Sequence, residues 1–165
     1  MNPCPCGYFT DPYHECRCRS QNIQRYHTRI SGPLLDRIAI HIEVPSLKYD
    51  ELKSSKLGES SQQIRGRVNQ ARQTQLDRFE KKKHIYCNAH MGSKDVRQCC
   101  LIDDQSQYLL KAAIQKFGLS ARAYDKVLKV ARTIADIDNE PAIKVQHIAE
   151  AIQYRSLDKN VWHRL

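Results

Sequence analysis

No stretch of this 165-residue chain approaches the run of about 20 apolar residues that a membrane-spanning helix needs. No charged segment followed by an apolar one opens it, so it lacks the usual export signal and a cytoplasmic location is expected. Gly-x-x-x-x-Gly-Lys-Ser/Thr is missing, and none of the six glycines is followed by lysine. A run of apolar residues ending in Asp-Glu is missing as well. With neither a backbone cradle for phosphates nor carboxylates to hold magnesium, the chain is not expected to hydrolyse a nucleoside triphosphate alone. Acid is also short: 18 Asp and Glu stand against 27 Lys and Arg, a net charge of +9. That excess favours polyanionic partners, nucleic acid or nucleotide phosphates among them; a solvated basic surface is the plainer alternative. Apolar residues make up 41% and charged residues 27%, which is enough for one core or two small ones.

Cysteine is plentiful. The seven are odd in number and come without a signal for an oxidising compartment, so metal binding outranks a disulfide framework. Cys4-Pro-Cys6 and Cys16-Arg-Cys18 form two close pairs separated by nine residues. Zinc takes four soft ligands in a tetrahedron, and two pairs joined by a loop can supply them. The one-residue gap is tighter than usual, leaving four reduced thiols or two disulfides as alternatives, with His14 and His27 as substitute ligands. Four thiolates leave no open position for water, so such a zinc is structural. Cys87, Cys99 and Cys100 lack a matching second pair and are expected to behave as partly buried apolar residues.

The pattern predicts a mainly α protein. Residues 1–20 form a loop-rich segment that needs a staple, followed by a short polar helix over 20–29 with Ser20 as its cap. Ile38, Ile40, Ile42 and Val44 alternate with Ala39, His41 and Glu43, which predicts one strand over 38–44 detached from its parent α/β sheet. Its unpaired edge is expected to be poorly ordered or paired with a second copy. A linker over 46–59 follows. Ile64, Val68, Ala71, Leu76 and Phe79 then mark one face of a helix over 60–80 that closes on Lys81-Lys82-Lys83. Residues 84–103 read as irregular, with a short helix after Ser93. The next helix contributes Leu109, Leu110, Ala113, Ile114 and Phe117 and stops at Gly118. Ser120 caps a longer one bearing Tyr124, Val127, Leu128, Ala131, Ile134 and Ala135, broken at Asn139-Glu-Pro141. Val145, Ile148, Ala149 and Ile152 define the last. The helical bundle is expected over 60–156, with a tail at 157–165, around Val68, Leu110, Ile114, Phe117, Leu128, Ala131, Ile148 and Ile152.

Asn2-Pro3-Cys4-Pro5-Cys6-Gly7, then Cys16-x-Cys18, Arg25-Tyr26 and Ser31-Gly-Pro-Leu-Leu-Asp-Arg37-Ile38, resembles the magnesium-chelatase-like AAA+ ATPases of the ComM/YifB type. Gly118-Leu-Ser-Ala-Arg122-Ala-Tyr124, continued by Val130-Ala-Arg132-Thr-Ile-Ala-Asp136, is similar to that family's C-terminal lid. The resemblance spans residues 2–156. It implies that 1–45 is the end of an AAA+ core carrying a zinc-type insert, that 60–156 is the helical lid, and that the chain is a piece of a longer protein. Asn2 matches sensor 1, which orients the attacking water. Arg37 matches the arginine finger, which reaches the nucleotide of the neighbouring subunit in a homo-oligomeric ring; its planar, permanently charged fork suits the transferring phosphoryl oxygens. Arg122 matches sensor 2, acting in its own subunit or across the interface. ATP and magnesium are implied in the parent protein only. ComM-type members imply DNA branch migration during natural transformation. The chain departs from the family pattern at Ala39, where Asp is expected.

Two other readings compete. One is a freestanding zinc-dependent DNA-binding module, with a helix-turn-helix across Phe117-Gly118-Leu119-Ser120. The other is a subunit of a metal-insertion chelatase. DNA contact is expected either through Arg17, Arg19, Arg25 and Arg29 beside the cysteines, or through the stretch from Arg65 to Lys83.

Overall fold

The computed structural model describes residues 2–9, 11–42, 44, 53 and 58–155. Most of the linker expected over 46–59, and the tail 157–165, lie outside the described residues. So does Glu43 of the expected strand.

Local chemistry sets where the helices begin and end. α1 (Ser20–His27) and α2 (Gly32–Arg37) are short and lie near the cysteines in sequence. α3 (Ser61–Phe79) begins with a reciprocal cap: the Ser60 hydroxyl accepts from the Gln63 N–H at 3.3 Å, and the Gln63 side chain accepts from the Ser60 N–H at 3.0 Å. A 3₁₀ turn at Asn88–His90 and α4 (Ser93–Cys99) follow. α5 (Asp104–Phe117) starts where the Asp103 carboxylate accepts from the Ser106 N–H at 2.8 Å. It stops where Gly118 turns left-handed at φ 56°, a conformation glycine adopts without a Cβ clash. α6 (Ala121–Ile137) is capped by Ser120, whose hydroxyl accepts from the Ala123 N–H at 3.1 Å, as expected. Its end is a Schellman arrangement: Asn139 takes φ 57°, and the Glu140 N–H reaches the Ala135 carbonyl at 2.8 Å. α7 (Val145–Gln153) completes the set.

α6 is the hub. It packs against α3, α4, α7 and the 3₁₀ turn, while α5 packs against α7. Ala123, Val127, Leu128, Ala131 and Ala135 are buried along one side of it. They join Phe79, Met91, Val96, Cys100, Leu110, Ile143, Ile148 and Ile152 in the core. Burying each large aliphatic side chain there contributes roughly 1.5–3 kcal/mol. The expected core residues Leu110, Leu128, Ala131, Ile148 and Ile152 are therefore buried, with Ile114 and Phe117 at its edge. Cys100 lies in this core, Cys99 packs on it, and Cys87 is half-buried.

One buried polar network ties the layers together. Asp136, on the buried face of α6, accepts from Arg132 at 3.0 Å, from Arg78 at 2.8 Å and from the Asn88 amide at 2.8 Å. The Arg132 guanidinium also donates to the carbonyls of Glu140 and Pro141, at 2.6 and 2.8 Å. α3, the 3₁₀ turn and α6 thus share one carboxylate, and Arg132 ties the loop after α6 to it.

Four expectations fail. Val68 is not core: it is 46% exposed, with Ile64 and Leu76 also exposed, because α3 buries only Ala71, Gln75 and Phe79 against the bundle. Tyr124 lies on the exposed side of α6. The cap of α1 is Arg19, without a side-chain bond, and Ser20 is the first helical residue. No strand occurs among the described residues. Ile38 has extended backbone, but the chain from 38 to 42 has no ladder partner, and Ile38, Ile40 and Ile42 stay exposed. It rests instead on the end of the bundle, where the His41 N–H donates to the Tyr154 carbonyl at 2.8 Å. α2 itself was not anticipated, although Ser31 before Gly32-Pro33 is a helix-start signal.

Candidate functional site

The cysteine loop closes on itself. The Gly7 N–H donates to the Cys4 carbonyl at 3.0 Å, and Gly7 takes φ 88°, which favours glycine. This turn brings Cys4 and Cys6 together, and the nine-residue loop returns Cys16 and Cys18 to them. The four sulfurs lie within 4.8 Å of one another, with Cys4–Cys6 at 3.3 Å, Cys4–Cys16 at 3.6 Å and Cys6–Cys16 at 3.7 Å. A tetrahedron of sulfurs about 2.3 Å from zinc has edges of about 3.8 Å, so the set fits that ion. The four cysteines are free thiols rather than disulfides.

Charge explains why such a cluster suits a cation. The Tyr8 backbone and then the Cys4 thiol pull the Cys6 thiol down to about 6. At Cys16 a hydrogen bond from the Cys18 backbone pulls downward, but desolvation and the neighbouring sulfurs outweigh it and push the thiol up to about 12. Without a cation, one thiolate opposes the next; a divalent ion removes that conflict. The surroundings are prepared as well. Buried Cys4 accepts from the Phe9 N–H at 3.3 Å. His27, buried on α1, donates from Nε2 to the Pro3 carbonyl at 2.6 Å and pins the first pair to that helix. His14 stacks on Tyr8 and lies 3.3 Å from Asp11. Neither histidine is in the sulfur cluster.

A second constellation lies where α2 meets the start of α6. Asp36 accepts from the Ser120 hydroxyl at 2.8 Å, so that one hydroxyl both caps α6 and holds α2. Lys126, one turn into α6, donates to the Asp36 carbonyl. Arg155, only 2% exposed, donates to the Ile38 carbonyl and sets a second guanidinium nitrogen 3.7 Å from the Asp36 carboxylate. Arg37 sits between these two anchored residues. Its own side chain is exposed and has no hydrogen bond or ion pair among the described residues. Arg122 is likewise exposed and stands two residues beyond Ser120. The Asp36–Ser120 contact thus holds the segment carrying Arg37 at the start of α6, where Arg122 also lies. Asn2 is exposed beside Gly7 and bonds to neither.

Sequence reasoning missed Asp36, Lys126 and Arg155. Nothing local marks them, since their contacts join residues 84 to 117 positions apart.

No helix among the described residues is long and apolar enough to cross a membrane. The family described as magnesium chelatase, subunit ChlI C-terminal, matches residues 58–155, and magnesium chelatase, subunit ChlI, matches residues 1–52. Competence protein ComM of Haemophilus influenzae is 41% identical over 158 residues, covering 95% of this chain and 30% of that protein. Uncharacterized protein YifB of Escherichia coli is 38% identical over 164 residues, covering 99% of this chain and 31% of that protein. The chain thus spans about three-tenths of the length of these curated relatives. With the helical bundle matched from end to end and the cysteine-bearing segment matched before it, this chain belongs to the magnesium-chelatase-like family, in its ComM/YifB branch.

Proposed function

We propose that this chain is the part of a ring-forming AAA+ ATPase that completes a nucleotide site held by a neighbouring subunit and couples it to DNA remodelling. Arg37 is the arginine finger, Arg122 is sensor 2, and Asn2 is sensor 1. Residues 1–45 end the ATPase core and 60–156 form its lid. Cys4, Cys6, Cys16 and Cys18 hold a structural zinc that staples the segment in front of the finger. ATP and magnesium belong to the phosphate-binding part of the parent protein, and the setting is the cytoplasm.

The anchoring of Asp36 to Ser120, Lys126 and Arg155 carries this reading. Elsewhere in the bundle, Arg78 and Arg132 are consumed by Asp136. Arg37 and Arg122 instead are exposed and have no side-chain partner among the described residues, Arg37 next to Asp36 and Arg122 two residues beyond Ser120. Two such forks, electrically unspent, suit an anion that spreads charge over several oxygens. Both flank the Asp36–Ser120 contact; the finger assignment directs Arg37 to the neighbour's phosphate, while Arg122 acts in its own subunit or across the interface. The helix-turn-helix alternative is disfavoured by α6, whose 17 residues serve as the hub of the bundle rather than as a free recognition helix.

The test uses the full-length parent protein. Arg37→Ala should reduce ATP turnover by about 10³-fold or more while leaving ring assembly intact, in line with the known worth of such fingers. The 165-residue chain alone should release no phosphate from ATP. Unchanged turnover in the Arg37→Ala ring, or steady phosphate release from the clean chain, would overturn the reading.

A further inference from the structure

α3 is longer than the bundle it belongs to. Its buried residues begin only at Ala71, and every residue from 61 to 70 is exposed. At about 1.5 Å per residue, some 15 Å of helix therefore stands clear of the core. This arm supports itself through the Ser60–Gln63 reciprocal cap and an Arg67–Glu59 contact of 2.5 Å.

The chemistry of the arm is one-sided. From Ser60 to Leu76 there is no Asp or Glu, while Arg65, Arg67 and Arg72 are present. Gln62, Arg65, Asn69 and Arg72 recur at i, i+3, i+7 and i+10, which places them on one stripe of the helix. None of the four has a side-chain partner among the described residues, whereas Arg78, Lys82, Lys126, Arg132 and Arg155 all do. Arginine, glutamine and asparagine are the side chains that contact phosphate oxygens and base edges. Gly66, beside the stripe, has open space where a Cβ would stand, so a ligand backbone can come close.

We infer that this stripe of α3 is the surface on which the chain contacts nucleic acid. The inference rests on the DNA-remodelling part of the function proposed above and assigns it a place. Acid-free charge complementarity selects a polyanion, and the amide side chains between the arginines select one that also offers hydrogen-bonding edges. Arg65 and Arg72 stand about 10 Å apart along the axis, so they engage separate phosphates of one strand.

The experiment measures binding of fluorescent single-stranded and duplex oligonucleotides to the 165-residue chain at low and physiological salt, with polyglutamate as the non-nucleic competitor. Arg65→Glu with Arg72→Glu should weaken oligonucleotide binding by about tenfold or more at low salt and reduce the log–log salt slope by about 1.4 on single strands. Arg65→Lys with Arg72→Lys should keep most of it, and thermal unfolding should be unchanged because both sites are exposed. Competition by polyglutamate as strong as by oligonucleotide would overturn the inference. It would also fall if reversing Arg65 and Arg72 had no effect while reversing Arg17, Arg19, Arg25 and Arg29 abolished binding; the DNA reading would then stand at a different surface. No binding by the wild-type chain at low salt would remove both the surface and direct DNA contact by this chain. Arg37-dependent ATP turnover in the parent is a separate measurement of the motor reading.

Discussion

Asp136 and Cys4 illustrate how single residues carry weight here in opposite ways. Asp136 is a buried anion shared by two arginines and an asparagine amide. Removing it leaves two guanidinium groups facing each other with no counter-charge. Asp136→Ala should therefore cost about 3–5 kcal/mol in chemical denaturation, far more than an exposed ion pair such as Arg67–Glu59. A loss below 1 kcal/mol would mean that the network is not the tie it looks to be. Cys4 is the buried member of the sulfur cluster and accepts a backbone N–H. Cys4→Ser should lower bound zinc, measured by atomic emission, from about one per chain towards none. The helical bundle's far-ultraviolet circular dichroism should persist, because the cysteine loop lies outside the bundle core. A chelator should likewise make four thiols reactive in the wild-type chain without melting the bundle.

Helices in this protein depend on carboxylates at their margins, and that dependence has a sign. Lys82, then the Gly92 N–H, hold the Asp95 carboxyl below its usual value. The Ser106 side chain and N–H do the same for Asp103 at the start of α5, and Lys144 does so for Glu140. A carboxylate depressed by folding stabilises the native state above its ordinary pKa, and the contribution disappears as pH falls through the depressed value. Urea midpoints should therefore be flat near neutrality and fall as the solution is acidified through the carboxylate range. Asp103→Asn keeps an acceptor at the cap but removes its titratable charge, so this variant should lose less stability on acidification than the wild type. An identical acid response would show that the α5 cap does not contribute to it. Ser120 belongs to the same class of element but does two jobs. Ser120→Ala should cost about 1 kcal/mol as a lost cap and, in addition, speed amide exchange over 36–41, where Asp36 loses its anchor. Faster exchange confined to α6 would indicate that the hydroxyl serves only as a cap.

Across the whole molecule the polar contacts fall into two groups with different tasks. The Asp136 network lies inside the bundle and fixes how α3, α6 and the 3₁₀ turn meet. The Asp36 cluster lies outside it and decides where the segment carrying Arg37 rests relative to the helical bundle. If the second group sets the finger, Asp36→Asn in the full-length protein should lower ATP turnover while nucleotide binding and thermal stability stay near wild type. Turnover that tracked stability alone would reduce Asp36 to a structural contact. The basic arm of α3 adds a third region, remote in sequence from Arg37 and standing clear of the core.

Periodicity, caps and cysteine spacing made much of this protein readable. The apolar spacing of α5, α6 and α7, the Ser120 cap, the Gly118 stop and the Asn139 break are local properties of a few adjacent residues, so they can be read along the chain. The cysteine cluster was legible for the same reason, because its two pairs are joined by a short loop. What could not be read was which faces find partners. Val68 and Ile64 continue the helical spacing of Ala71 and Phe79, yet only the latter meet another layer, since α3 outruns the bundle. The alternation at 38–44 is a true strand pattern, but a ladder requires a second strand, and among the described residues the segment lies against Tyr154 and Arg155 instead. By itself the sequence determined the bundle helices, the caps and stops of α5 and α6, the metal-type ligand set and the family, but not α2 or the start of α1. Only the tertiary structure decided that Arg37 and Arg122 share one junction, because the contacts that set it join residues up to 117 positions apart and depend on burial rather than on neighbouring residues.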